Sequence, residues 1–520
     1  MVSNLVAGVL GVWVLGGAGV EPGYNFLVMG GGFEREHNEI ALEKNVLYFQ
    51  RTLGVFGVDP ANASLYFANG NDGQKTVRYL DEHREVQFKA PALPHLQGAS
   101  TRDSFQAWLS RTLQQKPPRP AFLYFTGHGA LNFEDPDNNA LALWDAGSLS
   151  VHSLARALDR LSPDEPVVAV MSQCFAGSFA NFIYWGGDPH AGVAAQPRCG
   201  FFATIKERTS VGCTPEVDEA DYRDYSSSFF AGLSGVSRVG KSVDSADYDH
   251  DGRVSFAEAH AFAKVDGETS DLPVSTSEVW LQSQVQDKEQ DELASRPIVE
   301  LLEGARPEQR YVIESLVRRL GVEVGQSVLQ NEKQLRKFMK TEEDAAYVGR
   351  LWLELLNLGM EARVRKKGDS GEVAVLDRLV ACEHGSWSAP PAVAPFPEDS
   401  RPEASGLCVS SEEDGGSPHR IATLSRRKAS KLGAAWTPRF EALFARAGME
   451  LEDPLNLLYL QEHNSPHPEA YHQAIYDRLQ ATLEGCGDQA SCASVLRMAL
   501  RRLATELCTP DTPLSSLVSW

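Results

Sequence analysis

Long apolar runs are scarce in this 520-residue chain. Beyond the N-terminus, none reaches the roughly 18 residues of a membrane-spanning helix without a polar or glycine interruption, so no integral span is expected in the mature chain. Positive charge is also short. Lys and Arg number 49 against 70 Asp and Glu, giving a net charge of −21 and a pI near 5.1. That balance argues against a general binder of nucleic acid or anionic membranes, and no nucleic-acid partner is expected. No C-x-x-C pair occurs, which removes the usual zinc spacing. No G-x-G-x-x-G follows the turn at Gly30-Gly31-Gly32, so a nucleotide-binding reading of that turn is weak. What is present in quantity is apolar residue, 42% of the chain, ample for a core. The length allows about two to four domains.

Leu5 to Val20 is apolar and Gly-rich, with no charge before Glu21. It resembles the core of a secretory signal, although no Lys or Arg lies near Met1. Residues 1–20 are expected to be a signal peptide and the chain secreted or periplasmic. The alternative is a first strand of a cytoplasmic protein. Five of the eight cysteines lie late: Cys382, Cys408, Cys486, Cys492 and Cys508. Without zinc spacing they read as disulfides in an oxidising compartment. Cys486 and Cys492 sit between two helical runs and read as a bridged turn.

Two stretches carry chemistry. Val167 to Met171 is β-branched and apolar, a strand buried on both faces of a parallel sheet, and Cys174 comes directly after it. Ala121 to Thr126 is a second such run, ending in Gly127-His128-Gly129. A thiol and an imidazole at the carboxyl ends of two strands can meet on one sheet edge, the nucleophile–base arrangement. A helix N-terminus just beyond Cys174 would favour its thiolate. The backbone N–H groups of Gly129 and Cys174 could bind an oxyanion. Strands at Tyr24–Met29, Ala63–Ala68 and 200–205 alternate with helices at Ile40–Leu53, Ser100–Gln114 and 150–161, which predicts a doubly wound α/β layer structure.

Thr-Gly-His-Gly after one strand and Gln-Cys-Phe-Ala-Gly after the next resemble the caspase, metacaspase and legumain clan of cysteine peptidases. The 46 residues between His128 and Cys174 suit that clan, and the resemblance covers roughly residues 24–235. It implies a caspase-like, doubly wound, mostly parallel sheet flanked by helices, with a mainly helical C-terminal region beyond it. It implies endopeptidase activity on a protein or peptide, with Cys174 as nucleophile and His128 as general base. A non-catalytic interaction module and a peptide ligase using the same dyad are the alternatives. Matching His37 to the histidine of legumain's pocket puts Glu34 where that family has its orienting Asn, and Glu36 where it has Arg. Glu36 and His37 would then line a specificity pocket, with Ser210 and Gly212 on the wall beyond the strand at 200–205. Two acids there would suit a basic substrate residue.

Asp247-Tyr-Asp249-His-Asp251-Gly252-Arg253-Val-Ser255-Phe-Ala-Glu258 resembles an EF-hand calcium loop. Asp247, Asp249, Asp251, the Arg253 carbonyl, Ser255 and Glu258 are the expected Ca²⁺ ligands. Beyond residue 290 the pattern turns helical, and no catalytic constellation stands out there. The expected divisions are a signal at 1–20, a peptidase domain at 21–240 and the calcium loop with its connection at 241–290. A helical region is expected at 291–380, a Pro/Ser-rich linker at 381–430 and a helical, Cys-containing region at 431–520. Oligomeric state is not legible.

Overall fold

The computed structural model describes residues 23–391, 408, 417–428, 435–461, 467–483, 486, 489–508, 512 and 514–518. The proposed signal at 1–20 lies outside them, as does much of the expected linker. Among the described residues no helix is long and apolar enough to cross a membrane.

Seven strands form the main sheet: β1 (Asn25–Gly31), β2 (Ser64–Phe67), β3 (Leu96–Gly98), β4 (Ala121–Gly127), β5 (Val167–Met171), β6 (Arg198–Phe202) and β7 (Val274–Ser275). Their order is β7-β6-β5-β4-β1-β2-β3, all parallel except β7 against β6. β4 is central, with Leu123 opposite Leu27 of β1 and Ala169 of β5. Its residues alternate between two cores. Leu123 and Phe125 pack with Leu27, Met29, Ala169 and Met171 on one face. Phe122 and Tyr124 pack with Phe26, Val28, Val168 and Val170 on the other. A strand buried on both faces must be apolar throughout, which is why these runs are continuous rather than alternating. The α/β architecture with a mixed, mostly parallel sheet is therefore as expected.

Helices cover both faces. α1 (Ile40–Val55) buries Leu42, Val46, Phe49 and Leu53, one stripe at helical spacing. α2 (Arg102–Gln114) starts where the Thr101 hydroxyl accepts from Ser104 N–H, a cap contributing about 1 kcal/mol. α3 (Val151–Leu158) is capped in the same way by Ser150. α4 (Tyr225–Ser234) and α5 (Phe256–Asp266) pack together beneath Phe201 and Phe122. Residues 75–92, irregular by sequence pattern, instead contain an antiparallel hairpin, Val77–Leu80 with Val86–Lys89. Its alternation is too short to stand out from the flanking polar residues.

Farther along, α6 (Glu342–Lys367) and α7 (Ser370–Glu383) pack on the sheet domain. Cys382 at the end of α7 is bonded to Cys199 in β6, closing a separation of 183 residues. The other two disulfides are Cys408–Cys508 and Cys486–Cys492. The bridged turn is thus present, and one late cysteine pairs back to the sheet.

The last segment has its own core. β8 (Ser417–Arg420) and β9 (Leu457–Leu460) form an antiparallel pair with His419 opposite Leu458. Three helices pack with it: α8 (Trp436–Arg446), α9 (Glu469–Leu483) and α10 (Gln489–Cys508). Trp436, Phe440, Phe444, Ile475, Leu479, Leu496 and Leu500 are buried among them, apart from the two cores flanking the main sheet. Sequence pattern places β8 inside a linker, because four residues reading Ser-Pro-His-Arg carry no strand signal.

Candidate functional site

Two places concentrate reactive side chains. The first is the carboxyl edge of the main sheet. His128 lies just past β4 and Cys174 just past the neighbouring β5, so both are on that edge as expected. A Cβ on Gly129 would stand 2.0 Å from the Cys174 carbonyl oxygen, so only glycine fits. Their polar contacts, however, point elsewhere. Cys174 Sγ accepts from Ser210 N–H at 3.3 Å and lies 3.7 Å from Ser210 O. Burial pushes its thiol up, and the hydrogen bond from Ser210 only partly opposes this. Phe175, next in the chain, is in the left-handed conformation and leads into an eight-residue 3₁₀ helix, Ala176–Ile183, so the helix that begins beyond the thiol is 3₁₀ rather than α. His128 Nε2 lies 3.0 Å from Glu39 Oε2 and 3.0 Å from the His37 carbonyl. Burial would lower its pKa, but hydrogen bonds to Cys213 and Glu39, and their charges, raise it to about 10. An imidazole held protonated is a poor base near neutrality.

Around this edge the remaining expected residues are scattered. His37 stacks on Phe33 and bonds Glu34 at 2.8 Å, and Glu36 pairs at the surface with Arg35. Gly212 has φ +129° and a Cβ there would strike Asp224. Glu39 and Cys213, which no sequence pattern marks as partners of His128, are the groups that meet it.

The acidic loop brings part of its set together. Carboxylate oxygens of Asp247, Asp249 and Glu258 lie within 4.8 Å of one another. Glu258 is buried, accepts from Tyr248 and Ser255 N–H, and forms a capping box with Ser255 at the start of α5. Asp251 instead pairs with Arg253 at 2.7 Å.

The second place is the hairpin and helix near the C-terminus. His419, buried in β8, holds Tyr471 Oη at 2.8 Å through Nε2, and His467 Nε2 stands 3.1 Å from its Nδ1. Tyr471 donates to the Ile421 carbonyl at 3.1 Å. A carbonyl only accepts, so the phenol oxygen must take its other hydrogen bond from His419 Nε2–H. That fixes the tautomer of a neutral ring by its network: Nδ1 of His419 carries the lone pair and accepts His467 Nε2–H. Asn456, fully buried, clamps the frame. Its amide donates to Ala422 O at 2.9 Å and Leu451 O at 2.8 Å, and its oxygen accepts Ala422 N–H at 2.7 Å. Arg426 bonds the His467 carbonyl at 2.6 Å, fixing the entry to α9. His472, one residue past Tyr471, is buried, and burial together with the charge of Arg426 lowers its pKa to about 4.

Residues 405–507 match AHH, a nuclease family of the HNH/ENDO VII superfamily with conserved AHH. The match spans about a fifth of the chain and covers His419, Asn456, His467, Tyr471 and His472. No curated protein matches the chain. The sequence holds no Ala-His-His triplet, and the AHH span carries its histidines singly, at positions 419, 463, 467 and 472. His463 lies outside the described residues.

The AHH match corrects the reading of the chain as a caspase-, metacaspase- or legumain-like cysteine peptidase, along with the ligase and interaction-module readings built on the same dyad. The family found is a nuclease, and the Cys174 and His128 environments agree with the correction. The expectation of a peptide substrate and no nucleic-acid partner falls with it. Net charge misled because it is an average. Lys and Arg balance Asp and Glu, eleven of each, over residues 417–520, so the whole excess of acid lies earlier. The AHH-span residues were missed because no local pattern marks them; His467, Tyr471 and His472, close together at a helix start, were the nearest to a signal.

Proposed function

We propose that the C-terminal segment is a nuclease that hydrolyses phosphodiester bonds in nucleic acid. The observation that carries this is the coincidence of the AHH match with the hairpin–helix unit in which His419 and His467 share a hydrogen bond. In this reading a water enters between the two rings, and His419 Nδ1 takes its proton. The water oxygen attacks phosphorus, the P–O bond to the leaving alkoxide breaks, and solvent supplies that group's proton. Tyr471 holds His419 in the required tautomer from behind, and Asn456 holds β8 and β9 in register around it. The test is cleavage of plasmid DNA and of single-stranded RNA by the purified full chain, monitored on gels. His419→Ala should abolish cleavage, and undiminished cleavage in that variant would overturn the reading.

Two smaller proposals stand beside it. Three converging carboxylates support a Ca²⁺ ion bound by Asp247, Asp249 and Glu258, since like charges so close favour a cation. Three disulfides support an oxidising compartment, secreted or periplasmic. Removal of about the first 20 residues from the mature chain would support that location, and an intact Met1 would count against it.

A further inference from the structure

The nuclease reading leaves the sheet edge without a role, yet that edge holds one of the two groups of converging ligand-type side chains found among the described residues. Glu39 Oε2, a ring nitrogen of His128 and Cys213 Sγ all lie within 4.8 Å of one another. These are one hard oxygen, one borderline nitrogen and one soft sulfur. A tetrahedral Zn²⁺ with bonds of about 2.0–2.3 Å needs ligand atoms roughly 3.3–3.7 Å apart, so the His128–Glu39 pair, at 3.0 Å, opens slightly to admit an ion and the trio, all within 4.8 Å, needs shifts of about 1 Å at most.

Each ligand is held from outside the trio. Glu39, buried, gives its other oxygen to Arg78 at 2.6 Å, which keeps the carboxylate charged and aims Oε2 at His128. His128 is fixed by its place at the end of β4 and by Gly129 packed on the Cys174 carbonyl. Cys213 is exposed, but its loop is tied on both sides. Ser210 N–H and Val211 N–H bond Cys174 and Asp271 on one side. On the other, Ala41 N–H and Leu80 N–H bond the carbonyls of Thr214 and Pro215. The exposed side leaves a fourth position open to water or a ligand. Outer-shell support of this kind accompanies metal ligands generally.

We propose that Glu39, His128 and Cys213 form a site for a zinc-class divalent transition metal with one open coordination position. On binding, the ion replaces the hydrogen bond between His128 and Glu39. Any proton on Sγ or on the ligating ring nitrogen passes to solvent, and Sγ, that nitrogen and Oε2 supply the electron pairs. A mixed oxygen, nitrogen and sulfur set favours Zn²⁺ over Ca²⁺ or Mg²⁺, so this site and the acidic loop would select different ions.

The test titrates Co²⁺ into chelator-treated full-length protein whose two free thiols have been verified. One equivalent should produce visible d–d bands and a near-ultraviolet sulfur-to-cobalt charge-transfer band, both displaced by Zn²⁺. The charge-transfer band needs a thiolate, so neither the acidic loop nor the C-terminal histidines can produce it. Cys213→Ser, an exposed position, should lose that band while keeping the parent's circular dichroism. His128→Ala should bind Co²⁺ at least tenfold more weakly. Cys174→Ala should keep the band. Absence of the band in the folded parent overturns the proposal, as does a band that survives Cys213→Ser and disappears in Cys174→Ala.

Discussion

His128 at the end of β4 and His419 in β8 are both enclosed imidazoles bonded to other side chains, but their partners differ in kind. His128 meets a carboxylate and a thiol, and its pKa rises to about 10. His419 meets a phenol and a second imidazole, which at neutral charge settle its tautomer and leave Nδ1 carrying the lone pair. The first environment holds a proton or, in its place, a metal ion. The second presents a base. Both histidines are tied to strands; the charge state of the neighbours separates their chemistry.

The largest expected effect tests that separation directly. His419→Ala should reduce nucleic-acid cleavage by about 100-fold or more, the usual weight of a general base. Cys174→Ala should leave cleavage unchanged. If Cys174→Ala removed cleavage and His419→Ala did not, the assignment of chemistry to the C-terminal region would be reversed.

Next come the disulfides, which staple the two regions over very different lengths. Cys199–Cys382 closes 183 residues and Cys486–Cys492 only 6. By loop entropy the long bridge should contribute about 5 kcal/mol and the short one about 2 kcal/mol. Denaturant unfolding of Cys199→Ala/Cys382→Ala beside Cys486→Ala/Cys492→Ala would measure the contrast. Equal losses would show that strain or residual structure, not loop length, decides.

A pH comparison comes third, because the two regions should respond in opposite senses. His472 has a folded pKa near 4, below the ordinary 6.5, so its buried neutral form contributes stability that is present above 6.5. That contribution is lost as pH falls from 6.5 towards 4, about 3 kcal/mol as an upper bound. His128, raised to about 10, contributes stability that is fully present below 6.5 and lost as pH rises through 10. Melting curves between pH 4 and 10 on the parent, His472→Phe and His128→Gln should show each slope disappear separately. A parent acid limb unchanged by His472→Phe would assign it to other groups.

The smallest expected effect concerns the acidic loop. Calcium at roughly ten times its Kd should stabilise by about 1.4 kcal/mol, seen as a modest rise in Tm. Asp249→Asn should abolish the rise without unfolding the chain, since Asp249 is exposed. An equal rise in both proteins would place the ion elsewhere.

Legibility in the sequence divided along the same line. β1, β2, β4, β5 and β6 and α1 to α3 were readable within a few residues, because each is a continuous apolar run or stripe. The motifs at His128 and Cys174 were equally plain. Their chemistry was not, since Glu39 and Cys213 reach His128 from distant segments and no local spacing announces them. In the C-terminal region the helices, including the two runs flanking Cys486, were legible, but the strand pair was not: Ser417–Arg420 becomes a strand only against Leu457–Leu460.

What the amino-acid sequence determined by itself was the layered α/β architecture and the edge where strand-end residues gather. Apolar periodicity and burial are local properties, and short-range pattern encodes them. Tertiary structure alone decided which groups face each imidazole. Whether an enclosed histidine is a base, a held acid or a metal ligand depends on the groups a few ångströms away, and those groups come from residues 48 to 89 positions apart along the chain.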